Sequence, residues 1–179
     1  MKQVTVRAFR GMNKIEITKK DLIYGEITSE GREELCNFIK KHIKPTDRFI
    51  DVGSGYGKVV VKIAEKFNIN SFGIEIDKKK HNMAVNTTWS NKKDLINFIN
   101  DDVTLKLEIL NNFNIMFTNN LTWSKDLVNV VFENFKGIIY SMKIPTYIDK
   151  NSVETYEISV SWLKNRKCKI YKTNTITNR

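Results

Sequence analysis

Short apolar runs alternate with amphipathic stretches along most of this chain. Apolar residues spaced three and four positions apart predict helices at 28–43, 58–67, 78–90 and 125–135, with a weaker helix between 102 and 114. Apolar runs rich in β-branched and aromatic residues predict strands at 48–52, 71–76, 95–99, 114–118 and 137–142. Strands that alternate with helices are typical of a mostly parallel sheet with helices on both faces.

The two ends of the chain follow a different pattern. At the carboxyl end, 153–162 and 167–175 are rich in Val, Ile, Tyr and Thr, which predicts an antiparallel hairpin at the edge of the sheet. At the amino end, 4–9 alternates weakly and predicts a short strand, whereas 12–23 is polar and fits a hairpin or an arm. The whole pattern predicts an α/β, Rossmann-like fold in one compact domain.

Polar side chains recur where the predicted strands end. Asp51, Glu75, Asp102 and Asn119 each lie at or just beyond the carboxyl end of a predicted strand. Because the carboxyl ends of parallel strands meet at one edge of the sheet, these four side chains are expected to lie close together, where ligands of such sheets bind.

A glycine-rich loop follows the first predicted strand in F-I-D-V-G-S-G-Y-G at 49–57. Gly53 and Gly55 let the backbone approach a ligand closely. Dinucleotide-binding loops usually have G-x-G-x-x-G spacing and hold a pyrophosphate, which a carboxylate at Asp51 would repel. Asp51 instead suits a ligand with a cationic end, such as S-adenosylmethionine, and Glu75 can accept both ribose hydroxyls. The pattern resembles motif I of the class I methyltransferases.

The chain is strongly basic, with 30 basic and 20 acidic residues and a net charge of +10. This charge favours an anionic partner such as nucleic acid, a nucleoprotein or an acidic protein surface; the alternative is lysine used for solubility. No apolar run approaches the ~20 residues that span a bilayer, and Cys36 and Cys168 lack metal-ligand spacing. A reducing intracellular compartment is therefore expected. His42 and His81 are expected to be solvated or capping residues.

Four stretches of the chain resemble the motifs of one enzyme family. They are I-Y-G-E at 23–26, F-I-D-V-G-S-G-Y-G-K-V-V at 49–60, T-N-N-L-T-W at 118–123 and V-S-W at 160–162. Their order and spacing resemble those of the disruptor-of-telomeric-silencing (Dot-one-like) histone lysine methyltransferases, the class that lacks a SET domain. The resemblance implies a class I S-adenosylmethionine-dependent methyltransferase fold.

The same resemblance implies S-adenosylmethionine as the cofactor and assigns residues to it. Asp51 and Gly53 would contact its methionine end, and Glu75 would hold its ribose hydroxyls. Asp102 would contact the adenine amine, with Asp101 as the alternative because the strand boundary can shift by a few residues. The full set of predicted cofactor contacts is Tyr24, Glu26, Asp51, Gly53, Gly55, Lys58, Glu75, Asp102 and Asn119.

Methyl transfer to lysine requires a neutral amine, whereas free lysine has a pKa of about 10.4. A narrow apolar channel disfavours the ammonium form and lowers that pKa. The resemblance implies that Trp123 and Trp162 wall this channel and that Asn119 lies beside the methyl group and the target nitrogen. These three residues are the predicted catalytic set, with the rate coming from orientation and desolvation and with no metal.

The chain also departs from the family pattern. The family's glutamine after the last glycine is Lys58 here, which could pair with the cofactor carboxylate. Its phenylalanine after the adenine-binding acid is Val103, and its last-strand tyrosine aligns near Lys169 or Tyr171. The large helical lobe at the family's amino end and its separate basic DNA-binding extension have no counterpart in this sequence.

The leading hypothesis is a protein lysine N-methyltransferase that acts on a histone or nucleosome. A nucleic-acid methyltransferase is an alternative because of the basic charge, although the [DN]-P-P-[YFW] motif of such enzymes is replaced by N-N-L-T at 119–122. A module that binds S-adenosylmethionine or nucleosomes without turnover is a second alternative.

Domain organisation and partners are predicted on the same basis. Residues 1–27 are expected to form an arm and the segment that closes over the cofactor, and 28–179 the methyltransferase domain. The expected partner is a histone or another basic chromatin protein, and basic residues such as those at 78–80 could contact nucleosomal DNA or an acidic surface. A monomer without membrane contact is expected, located on chromatin in a eukaryotic or viral setting and in the cytoplasm otherwise.

Overall fold

The computed structural model describes residues 17–20, 22, 25–164 and 166–174. The predicted strand at 4–9 and most of the segment at 12–23 lie outside the described residues. Within them, the strands are β1 (Phe49–Val52), β2 (Ser71–Glu75), β3 (Ile96–Asn100), β4 (Ile115–Thr118), β5 (Ile138–Ser141), β6 (Glu154–Ser159) and β7 (Lys167–Asn174).

These strands form one sheet with the order β3-β2-β1-β4-β5-β7-β6. Strands β1 to β5 are parallel, and β6 and β7 form an antiparallel hairpin that pairs with β5. The predicted α/β fold, with a mostly parallel sheet and a hairpin at the carboxyl end, is confirmed. The strand order reverses between β1 and β4, so the carboxyl ends of these strands border the crevice in which such sheets bind ligands.

The α-helices of the described residues are α1 (Ser29–Ile39), α2 (Lys58–Phe67), α3 (Lys78–Thr87) and α4 (Lys125–Glu133). The bounds of α2 match the prediction. Helix α1 ends at Ile39 instead of near residue 43, because the chain continues in tighter turns in which the His42 amide donates to the Ile39 oxygen at 2.9 Å. Within the described parts of the chain, no helix has the length and apolar character that crossing a membrane requires.

The prediction of a weaker α-helix between β3 and β4 is wrong. Two 3₁₀ segments, Val103–Leu105 and Leu107–Asn112, occupy this stretch. Asp102 is the physical reason, since its Oδ1 accepts from both the amide and the hydroxyl of Thr104 at 2.8 Å. Such a local side-chain contact competes with a regular helix and favours a tight turn.

Apolar side chains pack against both faces of the sheet. Beneath α1 and α2, the buried side chains include Leu35, Ile39, Phe49, Ile63, Phe117 and Tyr140. On the opposite face, beneath α4 and the 3₁₀ segments, they include Ile50, Val52, Leu110, Met116, Leu127 and Val131. Consecutive residues of β1 thus serve opposite cores, as the alternation of side chains along a strand requires.

Helix α1 begins at a close contact with the hairpin. The Thr28 side chain caps the helix by accepting from the Gly31 amide at 3.0 Å, and the Thr28 amide donates to the Ser159 oxygen at 3.0 Å. Gly31 lies so near β6 that a β-carbon there would be 2.1 Å from the Ser159 oxygen. Glycine is therefore required at this position by the packing and not by its backbone angles.

Replacing Gly31 with alanine should lower the free energy of unfolding by about 2–3 kcal/mol, because the added methyl group overlaps the β6 backbone. The loss should exceed the gain that alanine normally brings inside a helix. Urea unfolding followed by circular dichroism measures the difference. Asn37→Ala, at an exposed position of the same helix, is the control and should change stability by about 0.5 kcal/mol or less. Equal unfolding midpoints for the two variants would contradict the packing argument.

His42 is neither solvated nor a simple cap, contrary to the prediction. Its Nδ1 lies 2.8 Å from the Tyr140 hydroxyl, which also donates to the Phe38 carbonyl at 3.2 Å. Burial raises the pKa of Tyr140, so the phenol stays protonated and keeps its hydrogen bond. The contact ties the turn after α1 to β5, a pairing between residues 98 apart in sequence.

Lys169 and Tyr171, the two candidates for the family's last-strand tyrosine, have different surroundings in the structure. Tyr171 lies opposite Ser141 of β5 and packs against the core, whereas Lys169 is exposed and lies opposite Glu157 of β6. Neither side chain lines the clefts at the carboxyl ends of the parallel strands that are described next.

Candidate active site

Two adjoining clefts open at the carboxyl ends of β1, β2 and β4. The larger cleft is lined by residues that include Gly53, Glu75, Asp102, Val103, Asn119 and Trp123. The smaller cleft is lined by residues that include Glu26, Arg32, Asp51, Gly53, Lys58 and Asn119. Gly25 also lines both clefts, so the contact between Gly25 and Asn119 marks the boundary between them. The structure thus gathers most of the predicted site residues at one edge of the sheet.

The glycine loop after β1 adopts backbone angles that glycine reaches without strain. Gly53, Gly55 and Gly57 all have positive φ, at 80°, 54° and 74°. The Gly53 amide donates to the Ile74 oxygen at 2.9 Å, which fastens the loop to β2. A β-carbon at Gly57 would lie 2.4 Å from the Phe98 ring, so glycine is required there by both angle and space.

Glu75 connects the glycine loop to the start of α3. One carboxylate oxygen accepts from the Gly55 amide at 2.8 Å, and the other accepts from the Asp77 amide at 2.8 Å. The side chain is 6% exposed and lines the larger cleft. Each oxygen keeps a further lone pair, so the carboxylate is held in place and can still accept from a ligand hydroxyl.

Asp51 is buried at the end of β1 and lines the smaller cleft. Burial raises the pKa of its carboxyl well above the usual range, and the negative charge of Glu75 raises it further. A cationic group bound in this cleft would lower the pKa of Asp51 again by stabilising the ionised carboxylate. The site therefore fits a ligand with a positive end, as the sequence predicts.

The raised pKa of Asp51 makes stability depend on pH. The folded protein binds this proton more tightly than the unfolded chain does, so the contribution of Asp51 to the free energy of unfolding is lost as pH rises from about 4 through the raised pKa. Asp51→Asn should therefore raise the melting temperature of the ligand-free protein at pH 7.5, and the gain should shrink toward pH 4.5. Thermal unfolding across this range tests the effect, with Glu65→Gln on the exposed face of α2 as the control. Parallel pH profiles for wild type and Asp51→Asn would refute it.

Asp102 and Asp101 differ in whether a carboxylate oxygen is available to bind a ligand. Asp102 is buried, its Oδ1 is bonded to Thr104, and its Oδ2 has no hydrogen-bond partner among the described residues. Asp101 is half-buried, lies 3.7 Å from Lys106 and accepts from the Asp102 amide at 2.8 Å. A buried acceptor without a partner is costly, so Asp102 is the better candidate for binding an amine in the larger cleft.

The two asparagines after β4 have separate roles. The Asn119 side-chain amide donates to the Gly25 carbonyl at 2.7 Å, so its Oδ1 remains for another donor. Asn120 is fully buried and bonds the backbone of Lys143 twice, donating to the oxygen and accepting from the amide at 2.8 Å each. Asn119 therefore faces the clefts, whereas Asn120 holds the loops after β4 and β5 together.

Residues 25–28 cross the site and pair with the turn that follows β6. The Ser161 amide donates to the Glu26 oxygen at 2.9 Å, and Ile27 forms an isolated antiparallel bridge with Val160. The Glu26 carboxylate lies 2.9 Å from the Lys58 Nζ. This segment carries the predicted Y-G-E motif, of which Tyr24 lies outside the described residues.

The two tryptophans of the predicted catalytic set, Trp123 and Trp162, have different surroundings. Trp123 is 8% exposed and lines the larger cleft. Trp162 is 38% exposed and packs on Gly25, where a β-carbon would lie 2.8 Å from its ring. Trp162 lines neither cleft in this structure, so only Trp123 has the predicted position beside the cavity.

Arg32 is a site residue that the sequence did not single out. It extends from the first half of α1 into the smaller cleft, and its guanidinium donates to the Ile27 carbonyl at 3.0 Å. Its position six residues after Glu26 is the only signal that the sequence offers. Within the described residues, no group of His, Cys, Asp or Glu side chains is arranged to hold a metal ion.

A family model described as histone methylation protein DOT1 matches residues 11–146. The chain belongs to the DOT1 family. The match covers about three quarters of the chain and includes both clefts and the glycine loop. No match was found among curated protein sequences. The family predicted from the sequence motifs is confirmed.

Several solved structures that share this fold are named as methyltransferases. An RNA methyltransferase from Salinibacter ruber in complex with S-adenosylhomocysteine is 18% identical, with a TM-score of 0.67 over 86% of this chain and 95% of that one. A proposed RNA methyltransferase from Pyrococcus horikoshii is 16% identical, with a TM-score of 0.66 over 89% and 90%. A methyltransferase from Thiobacillus denitrificans is 16% identical, with a TM-score of 0.50, and the match spans 73% of this chain and half of that one.

Family and fold together confirm the predicted class of protein, an S-adenosylmethionine-dependent methyltransferase with the class I fold. The structures from S. ruber and T. denitrificans both contain S-adenosylhomocysteine, the product that remains when this cofactor has donated its methyl group. The clefts of this DOT1-family protein have the matching polar groups, since Asp51 suits a cation, Glu75 a diol and Asp102 an amine.

Proposed function

We propose that this DOT1-family protein transfers a methyl group from S-adenosylmethionine to a lysine side chain of a histone or another basic chromatin protein. The observation that carries the proposal is the position of Asn119, at the junction of the two clefts with its Oδ1 available beside Trp123. The family match supports a histone as the substrate, because the description of the family names histone methylation.

The two clefts suggest how the cofactor would be held. Glu75 would accept the ribose hydroxyls, and the unpartnered Oδ2 of Asp102 would accept the adenine amine. Val103 would pack against the adenine as an aliphatic wall in the larger cleft. Asp51 and Gly53 would receive the methionine end in the smaller cleft, where the buried carboxylate needs a positive partner.

The bound cofactor supplies an electrophilic methyl group, so the protein itself must deliver a neutral, oriented amine. Asn119 can accept one amine hydrogen at Oδ1 while its own amide group is fixed by the Gly25 carbonyl. Trp123 offers an apolar wall that disfavours the ammonium form of the target. The lysine proton is lost to solvent before transfer, and catalysis comes from orientation and exclusion of water.

The first turn of α3 supplies a basic surface beside the larger cleft. Lys78 and Lys79 directly follow the Asp77 cap, and Lys80 lines the cleft itself. We propose that this turn contacts nucleosomal DNA or an acidic protein surface while the target lysine occupies the site. The double variant Lys78→Gln/Lys79→Gln should then lower methylation of nucleosomes more than that of free histones. Lys92→Gln/Lys93→Gln, at the far end of the same connection, is the charge-matched control.

A radiolabelled S-adenosylmethionine assay tests the function. Reconstituted nucleosomes, free core histones, naked DNA and RNA are offered in parallel to the wild type and to Asn119→Ala. Label in a histone that disappears with Asn119→Ala supports the proposal, and mass spectrometry of the peptide identifies the modified lysines. Absence of label in every protein substrate, with label in nucleic acid, would overturn it.

Nucleic-acid methylation is the second candidate, and a surface groove favours it. The groove lies between α1, α2 and α3, and its lining includes the cations Arg32, Lys58 and Lys62, the aromatic rings of Tyr56 and Trp89, and one carboxylate, Glu65. Trp89 is 91% exposed, and aromatic rings beside cations are typical of single-strand binding surfaces. The two RNA methyltransferases of similar fold accord with this reading. Label in the RNA or DNA of the same assay would support nucleic-acid methylation. Cofactor binding without label in any substrate would favour a non-catalytic module.

A further inference from the structure

The Trp123 side chain reaches from the loop after β4 to the glycine loop after β1. A β-carbon at Gly53 would lie 3.6 Å from the Trp123 ring, which is the distance of an ordinary van der Waals contact. Gly53 lines both clefts, and Trp123 lines the larger one. The position of this ring therefore shapes the cavity where the two clefts adjoin, close to Asn119, which also lines both.

The Trp123 oxygen lies outside the hydrogen-bond ladder of α4. Ser124 caps this helix, and the first bond of the helix runs from the Val128 amide to the Ser124 oxygen at 3.1 Å. The Trp123 oxygen, one residue earlier, therefore needs a donor from another part of the chain. Lys143, in the loop after β5, provides that donor, because its Nζ donates to the Trp123 oxygen.

Lys143 is itself fixed by the turn that carries Trp123. The Asn120 side chain bonds the Lys143 backbone at both its oxygen and its amide, and the Trp123 amide donates to the Asn120 oxygen at 3.1 Å. These bonds close a ring between the two loops. The Lys143 side chain is half-buried, and none of the ion pairs in the described parts of the chain includes it. Its ammonium is thus committed to the Trp123 oxygen, in a charge-assisted bond that is stronger than a neutral one.

We infer that Lys143 is a positioning residue for methyl transfer, which fixes the Trp123 ring against the glycine loop. The inference rests on the proposed function and deepens it, because it makes the geometry of the transfer site depend on the loop after β5, none of whose residues lines either cleft. Loss of the bond would free the ring to move, and a displacement of about 1 Å at a transfer site can cost about 100-fold in rate.

Lys143→Met tests the inference, because methionine keeps an unbranched apolar stem and removes the ammonium. Single-turnover transfer from S-adenosylmethionine to the substrate of the wild type should slow about 10- to 100-fold, whereas S-adenosylhomocysteine affinity should stay within about threefold. Lys143→Arg restores a charged donor and should recover most of the rate. Lys125→Met removes an exposed lysine that lines the same surface groove as Lys143, and it should leave the rate and the affinity unchanged.

A double-mutant cycle shows whether Lys143 acts through the ring. In a Trp123→Ala background, Lys143→Met should slow transfer by no more than about twofold further, because the wall that it positions is already lost. Equal fold-losses in the wild-type and Trp123→Ala backgrounds would overturn the inference, since Lys143 would then act by another route.

Tryptophan fluorescence gives a readout that does not depend on activity. In a Trp89→Phe/Trp162→Phe background, Trp123 is the one tryptophan of the chain, and its burial predicts weak quenching by acrylamide. Lys143→Met should raise the quenching constant about twofold or more, because the freed ring opens to solvent more often, and Lys125→Met should not. If Lys143→Met does not fold, Lys143→Gln makes the same comparison.

The two readouts separate this inference from the function that it builds on. An unchanged quenching constant or an unchanged single-turnover rate for Lys143→Met would overturn the inference while the proposed function stands. Absence of transfer by the wild type to every substrate would overturn the proposed function. The quenching comparison would then still decide whether Lys143 holds Trp123.

Discussion

Glu75→Ala should abolish measurable S-adenosylhomocysteine binding and lower methyl transfer by about 100-fold or more. The carboxylate accepts from the Gly55 and Asp77 amides at 2.8 Å each, and charge-assisted bonds contribute about 1.5–3 kcal/mol apiece. Its removal therefore loosens the glycine loop and the start of α3 at the same time. The acceptor proposed for the ribose hydroxyls is also lost. Calorimetry and the radiolabel assay measure the two effects separately.

Two further variants separate ligand binding from general damage at this position. Glu75→Gln keeps the shape and one acceptor oxygen, so the fold should survive while ribose binding weakens by a smaller factor. Glu108→Ala, on the exposed face of a 3₁₀ segment, removes a carboxylate of the same kind and should leave binding unchanged. S-adenosylhomocysteine binding by Glu75→Ala at wild-type strength would remove Glu75 from the site.

Asn119→Ala should lower the single-turnover rate of lysine methylation by about 10²- to 10³-fold and change S-adenosylhomocysteine affinity only a few-fold. The expected decrease in rate follows from the loss of one oriented polar contact at the reacting amine, in a site that excludes water. The side-chain amide is fixed by the Gly25 carbonyl at 2.7 Å, so its Oδ1 has a defined orientation in which to accept from the proposed target amine. Rapid quench with radiolabelled cofactor and histone gives the rate free of product release.

The neighbouring asparagine provides a matched control for this prediction. Asn120→Ala removes the same functional group from a fully buried side chain that bonds the Lys143 backbone twice, so it should lower stability in urea more than Asn119→Ala does. Asn119→Asp keeps the acceptor but sets a carboxylate against the Gly25 oxygen, and it should lose activity as well. An unchanged single-turnover rate for Asn119→Ala would show that the asparagine is a structural turn residue.

Much of the fold could be predicted from the local pattern of the chain. Helix α2 has the bounds that its apolar spacing predicts, and the hairpin of β6 and β7 appears where β-branched residues concentrate. The positive φ angles of Gly53, Gly55 and Gly57 follow from the glycine spacing. Such features depend on a few neighbouring residues, so the sequence contains all the information that they need.

The errors arose where a local tendency competes with distant contacts or with a side-chain bond. Helix α1 stops at Ile39 because the turn after it is directed to Tyr140 of β5. The stretch after β3 is 3₁₀ rather than α-helical because Asp102 binds Thr104. The contact of Trp162 with Gly25 is likewise one that no spacing within the V-S-W motif indicates.

The sequence by itself determined the order of strands and helices, the backbone of the glycine loop and the identity of the acids at the strand ends. It also carried the motifs that assign the chain to the DOT1 family. Only the tertiary structure decided the partners of those groups: Asn119 with Gly25, Lys58 with Glu26, and Arg32 beside Asp51. The reason is physical, since propensity and periodicity act over a few residues. Hydrogen bonds in the clefts join residues up to 94 positions apart, and the three-dimensional packing of the sheet and helices sets those distances.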